Sequence, residues 1–149
     1  MAHHLLSFSL LMLASMCNSA QAADTAHNPL LSDLWNHRPL LITVPDDQHP
    51  MLSGVEHALR QASVQAEFQE RNMVLYVLTD KTAHRDGRQL QPSETAAILD
   101  ALKVKTPINP TAILIGLDGG IKYQSTEQVD LQTIFTLIDG MSMRQRQRN

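Results

Sequence analysis

Beyond Cys17 the 149-residue chain contains no cysteine. A domain built from residues after Cys17 has no disulfide, no thiolate nucleophile and no thiolate metal ligand. Formal charge is missing from the start as well: no Asp, Glu, Lys or Arg precedes Asp24. Long hydrophobic runs are absent too. The apolar stretch Leu5 to Met16 is about a dozen residues, against the roughly 20 that a membrane-spanning helix needs. Nor are Lys and Arg gathered as a phosphate-binding surface requires. The net charge is −3, and Arg144, Arg146 and Arg148 all lie in the last six positions. The body is therefore mildly acidic, which argues against nucleic acid as a partner, and the basic tail reads as a frayed, solvated terminus. No internal repeat or low-complexity segment is visible.

What is there begins with a leader. The short apolar stretch precedes Ala20-Gln21-Ala22, the small-x-small pattern that signal peptidase reads. Cleavage is expected between Ala22 and Ala23. Residues 1–22 are then a signal peptide and residues 23–149 a single exported domain, periplasmic or secreted, with no membrane span in the mature chain. Its n-region is atypical, with His3 and His4 in place of Lys or Arg. Cys17 falls inside the leader, and Met16 before it is bulky where a lipidation signal wants a small residue. The mature chain would carry no thiol, and its length allows one core without staples.

Along that domain, Pro29 to Asn36 predicts a short helix packing Leu30, Leu31, Leu34 and Trp35 on the body. Core packing explains the single Trp better than ligand stacking. Leu40 to Val44 is a continuous apolar run that reads as a strand buried on both faces. Asp46 to Pro50 has helix-start chemistry, with carboxylates for free amides and Pro for the first turn. A helix is expected from there to Arg71–Asn72, its stripe formed by Leu52, Val55, Leu59, Ala62 and Ala66. Met73 to Thr79 predicts a second buried strand. Asp80 to Gln91 reads as a polar loop with a turn at Asp86-Gly87. A helix follows over Pro92–Val104, then a strand over Thr111–Leu117. Asp118-Gly119-Gly120 is a hairpin turn, and Ile121 to Ser125 alternates like an edge strand. Asp130 caps a last helix bearing Leu131, Ile134, Phe135, Ile138 and Met141, with Gly140 at its end. The order is strand, helix, strand, helix, hairpin, helix. It specifies an α/β, thioredoxin-like fold with a mixed four-stranded sheet flanked by helices. Pro110, directly before the third strand, stands where that fold places a cis proline facing the loop after the first strand.

Four segments carry a more specific likeness: Asn28-Pro29-Leu30, Arg38-Pro39-Leu40-Leu41, Gly116-Leu117-Asp118-Gly119-Gly120-Ile121-Lys122, and Ile138-Asp139-Gly140-Met141-Ser142-Met143-Arg144. Through them the chain resembles domain-of-unknown-function family 4174. This thioredoxin-like, peroxiredoxin-related domain occurs in bacterial exported proteins and in vertebrate extracellular proteins of the Equarin and sushi-repeat types. Ser142 departs from the Pro expected between the two methionines. The resemblance covers nearly all of residues 23–149. It implies the fold and the compartment but no settled activity.

Thioredoxin-like proteins keep reactive groups at the start of the helix after the first strand, where free amides and a partial positive charge favour an anion or a thiolate. Here that place reads Pro45-Asp46-Asp47-Gln48-His49-Pro50, with no Cys, Ser or Thr. Two carboxylates beside an imidazole could bind a ligand or do acid–base work, but helix capping is their commoner use. The candidate ligand-binding residues are Asp46, Asp47, His49 and Pro110, and no catalytic residue can be named. His49 and His57 are too far apart along the helix to share a zinc ion, and His27, His37 and His84 show no ligand spacing, so no metal and no cofactor is expected. Asp139 and Arg144 could pair at the surface, where such pairs contribute only about 0–1 kcal/mol. The chain reads first as a binding or interaction module for an unknown protein or small-molecule partner, meeting it at the sheet edge Ile121–Ser125 or the groove by Pro110. The alternative is a non-thiol enzyme or small-ligand binder using the loop Asp46–His49 facing Pro110.

Overall fold

The computed structural model describes residues 27–105 and 109–148. The expected signal peptide, its expected cleavage point between Ala22 and Ala23, and Cys17 lie outside the described residues. α1 (Pro29–Asp33) leads into β1 (Arg38–Thr43), followed by α2 (Pro50–Leu59), α3 (Ala62–Glu70) and β2 (Met73–Leu78). β3 (Ala83–Arg85), β4 (Arg88–Gln89) and α4 (Pro92–Leu102) come next, then β5 (Thr111–Ile115), β6 (Ile121–Ser125), α5 (Leu131–Asp139) and α6 (Ser142–Arg148). The sheet order is β4-β3-β2-β1-β5-β6. β1 runs parallel to β2 and antiparallel to β5, and β5 pairs antiparallel with β6.

β1 sits at the centre and every one of its residues is buried. Its alternating side chains divide the core. Leu40 and Ile42 join Leu52, Val55, Phe68, Ile134, Phe135 and Ile138 beneath α2, α3 and α5. Leu41 joins Tyr76, Leu78, Ile98 and Ile113 on the opposite face, under α4. Pro39 is tolerated in a central strand because β5 begins to pair only at Leu40. The Arg38 amide donates toward the β2 side, to the Asn72 carbonyl at 2.7 Å, so the next residue, lacking an N–H, faces the side not yet paired.

Three expectations need correction. The sheet has six strands, not four, because the polar segment after β2 folds into the hairpin β3–β4. Asp86 and Gly87, at φ 46° and 79°, form its two-residue turn, and turns of this kind suit the twist of paired strands. The flanking strands are too short and polar to show a period. Second, the long helix is two helices. Gln61 is extended, at φ −78° and ψ 121°, and starts α3 afresh. The new phase turns Val64 and Phe68 to the core and leaves Ala62 and Ala66 exposed. Third, Trp35 is not a core residue: it is 67% exposed and Leu31 is 64% exposed. α1 presents Asp33 inward instead, and past its end Trp35 adopts φ 66° as its amide donates to the Leu117 carbonyl at 2.7 Å.

No helix among the described residues is long and apolar enough to cross a membrane.

Candidate functional site

The sequence points first to the loop between β1 and α2. There Asp46 Oδ1 accepts the Gln48 amide at 2.9 Å, and His49 Nδ1 accepts the Met51 amide at 3.2 Å. His49 is the residue that caps α2, and Pro50 fills the first helical position, where no amide partner is needed. Both polar groups thus serve the chain's own backbone. Asp47 is exposed and lines a cleft of about 290 Å³ with Leu52, Glu56, Thr82 and His84. Pro110 is not among the residues lining that cleft. It follows Asn109, whose carbonyl accepts the Thr43 hydroxyl at 3.1 Å at the end of β1. The four candidates therefore share one end of the sheet, with Asp46 and His49 engaged locally and Asp47 facing a different cleft. Among the described residues no group of three His, Cys, Asp or Glu is placed to hold a metal ion.

The opposite end of the sheet holds groups that sequence reasoning missed. Arg38 opens β1 and is 1% exposed. Its Nη1 donates to the Arg71 carbonyl at 2.8 Å. Arg71, after α3, lays its guanidinium 4.6 Å from the Phe135 ring centre and donates from Nη2 to Asp139 Oδ2 at 2.6 Å. Arg144 is buried as well, pairing with Glu70 Oε1 at 2.6 Å and Asp139 Oδ1 at 3.4 Å. The pair expected at the surface is thus part of a partly buried network, with buried arginines and more exposed acids, that pins α6 and α5 onto α3. Arg71 and Arg144 hold the Asp139 carboxyl below the usual carboxylate range, the Arg71 hydrogen bond contributing most. Burial pushes the Arg38 guanidinium down, the like charge of Arg144 adds to that push, and Asp139 opposes it.

Beside this network lies a cavity of about 250 Å³ lined by Arg38, Gly116, Leu117, Asp118, Lys122 and Met141 to Met143. Lys122 Nζ bonds Asp118 Oδ2 at 2.7 Å across the β5–β6 turn. Gly116 makes that arrangement possible, since a Cβ there would stand 2.5 Å from Lys122 Cε and 2.8 Å from Asp118 Oδ1. Three of the four segments that carry the family likeness meet at this cavity. No local pattern announces it, because its walls are far apart in sequence.

A third polar cluster fixes α1. Asp33 is 2% exposed and accepts from Tyr76 Oη at 2.6 Å and from Arg85 Nη2 at 2.6 Å, and it is hydrogen-bonded to His37 Nδ1 at 3.0 Å. Burial and the bond to Asp33 push the Tyr76 hydroxyl well above its ordinary value. Every oxygen of the Asp33 carboxylate is used within the fold, which makes this cluster an anchor.

Comparison with solved structures places the chain among peroxiredoxins in fold. The reduced 2-Cys peroxiredoxin of Plasmodium vivax superposes with a TM-score of 0.52 at 14% identity, over 80% of this chain and 85% of the other. The mitochondrial 2-Cys peroxiredoxin of Plasmodium falciparum gives 0.50 at 10% identity, over 79% and 83%. At such identities the likeness shows the thioredoxin-like fold alone. No curated protein matches the chain. A match over residues 29–147 settles the family: the chain belongs to the domain of unknown function family DUF4174.

Proposed function

We propose that this chain is an exported binding module on a thioredoxin-like frame, without thiol chemistry. One observation carries the reading. At the helix start after β1, where thioredoxin-like proteins keep reactive groups, Asp46 and His49 accept the Gln48 and Met51 amides and Pro50 closes the turn. No cysteine occurs after residue 17 to act there or elsewhere in the fold. The leader at residues 1–22 supports export to a periplasm or to the outside. The cavity beside Arg38 is the concave site that best suits a ligand, since a buried cation and an apolar wall share it.

The test is peroxide consumption by the purified chain with dithiothreitol as reductant, beside a Cys17→Ser variant. Neither should turn over. Thiol-dependent turnover by the parent, lost in the variant, would overturn the reading. Export is checked by sequencing the N-terminus of the protein recovered outside the cytoplasm, which should begin at Ala23.

The second reading, a non-thiol enzyme or small-ligand binder at the β1–α2 loop, draws on Asp47. That carboxylate is exposed and shares its cleft with Glu56 and His84.

A further inference from the structure

β2 and its hairpin are covered unequally on their two faces. On one face α4 closes over the hairpin as well, and Ala83 and Leu90 are buried there. On the other face α2 and α3 stop short. Leu75 and Val77 pack toward that side yet stay partly exposed, and His84 of β3 stands beside Val77. Two clefts lie end to end along this bare strip. One, of about 290 Å³, runs between Asp47, Glu56 and His84 over Leu52 and Val77. The other, of about 410 Å³, lies between Gln65, Gln69 and Asp86 over Phe68 and Met73. They share Leu75 and Gly87, so they form one groove between the α2–α3 pair and the β3–β4 hairpin. The groove follows β2 from Met73 to Thr79, roughly 20 Å at the rise of a strand.

The floor of this groove is apolar and its rim is acidic. Asp47, Glu56 and Asp86 line it, and among the described residues no Lys or Arg does. Asp86 is already engaged: Oδ1 accepts the Leu75 amide at 2.8 Å, and Oδ2 lies 3.8 Å from Arg85 Nη1. Asp47 accepts only the Gln48 side-chain amide, at 3.5 Å, and exposed Glu56 forms no ion pair among the described residues. These two carboxylates are the charges that an occupant meets.

We propose that the groove docks an extended segment of a protein partner in which apolar and basic side chains alternate. An extended chain sends successive side chains to opposite sides. The apolar row lies on Leu75 and Val77, and the Lys or Arg row reaches Asp47 and Glu56 on long stems. The length of the groove selects a chain over a compact ligand, and its charge selects a basic one. A second copy's basic tail fits poorly: around Arg146 and Arg148 stand Gln145, Gln147 and Asn149, which offer nothing to an apolar floor. The inference rests on reading the chain as a binding module and names the class of partner that the module takes.

The experiment is fluorescence anisotropy of the purified full chain with labelled synthetic octapeptides: valine alternating with lysine, valine with glutamine, and glycine with lysine. The valine–lysine peptide should bind. The other two each lack one of the two matches and should bind about tenfold more weakly or worse. Glu56→Lys should weaken the valine–lysine peptide by about tenfold or more. It changes an exposed residue of α2 and should fold, which circular dichroism and a urea midpoint check. Asp100→Lys makes the same charge change on exposed Asp100 of α4, across the sheet from the groove, and should leave binding unchanged. No binding of the valine–lysine peptide, equal binding of either control peptide, or an equal loss in Asp100→Lys would each overturn the proposal. Sedimentation of the chain alone should be the same for the parent and Glu56→Lys. A dimer that the variant dissolves would assign the groove to a second copy and overturn the proposal as well. The peroxide assay separates the two levels: turnover sinks the binding-module reading, whereas no turnover together with no peptide binding sinks only the partner class.

Discussion

Arg71 and Asp139, 68 positions apart, meet at 2.6 Å where α3 and α5 end side by side. The contact sets how the domain answers acid. The folded state holds Asp139 below its ordinary pKa, chiefly through the Arg71 hydrogen bond, so the unfolded chain binds the proton more tightly. The stabilisation is fully present above the unfolded carboxylate value, about 3.9, and disappears as pH falls through the lower folded value. Urea midpoints measured from pH 6 down to pH 2 should fall in that acid window. Asp139→Asn should lower the midpoint at pH 6 and flatten the acid slope. An unchanged slope would mean that Asp139 does not carry the effect.

The Asp33 cluster predicts a graded series. Tyr76→Phe removes one hydrogen bond to a buried carboxylate and should cost about 1.5–3 kcal/mol. Asp33→Ala leaves the Arg85 charge and the Tyr76 hydroxyl without their acceptor, and should cost about 3–5 kcal/mol. In a double-mutant cycle Asp33 and Arg85 should be strongly non-additive, since each single change removes the same contact. Additive losses in urea unfolding would show that the two groups act separately.

Much of the frame was legible because its signals are local. The apolar runs before Pro45 and after Asn72, the alternation of Ile121–Ser125 and the Asp130 cap each depend on a few adjacent residues, and each became the element expected. Asp130 accepts both the Gln132 and Thr133 amides. The hairpin β3–β4 escaped notice although its Asp86-Gly87 turn did not, because three-residue and two-residue strands are too short to display a period. Trp35 was misplaced because hydrophobicity was the sole guide to a five-residue helix whose inward face is set by Asp33. The Asp139–Arg144 pair, five positions apart, was legible, whereas the Arg38 cavity and the rest of the Asp139 network were not, for a different reason. The contacts of Arg38 with Arg71, Arg71 with Asp139 and Arg144 with Glu70 join residues 33 to 74 positions apart, and such pairings leave no periodic trace in the chain.

The Asp86-Gly87 turn gives a backbone prediction. Gly87 sits at φ 79°, and a Cβ there would meet nothing within 4 Å. Gly87→Ala should therefore cost only the left-handed conformational penalty, about 1–2 kcal/mol, with no steric addition. The tip is also tied to β2, because Asp86 Oδ1 accepts the Leu75 amide at 2.8 Å and the Asp86 amide donates to the Leu75 carbonyl at 2.8 Å. The loss should therefore register as a lower midpoint for the whole domain in urea. A loss confined to amide exchange in β3 and β4, with the global midpoint unmoved, would show that the hairpin opens independently.

Asp46 and His49 test whether the β1–α2 loop is structural. As caps they satisfy the Gln48 and Met51 amides, and replacing both by Ala should cost about 0.5–2 kcal/mol for each. The variant should still fold, because the core beneath α2 rests on Met51, Leu52 and Val55, all buried. Urea unfolding of the parent and the double variant at one temperature reads the loss directly. A folded double variant whose midpoint equals the parent's would show that neither side chain serves as a cap, which favours the reading built on Asp46, Asp47, His49 and Pro110. A midpoint lowered by the capping cost would show that the loop is structural.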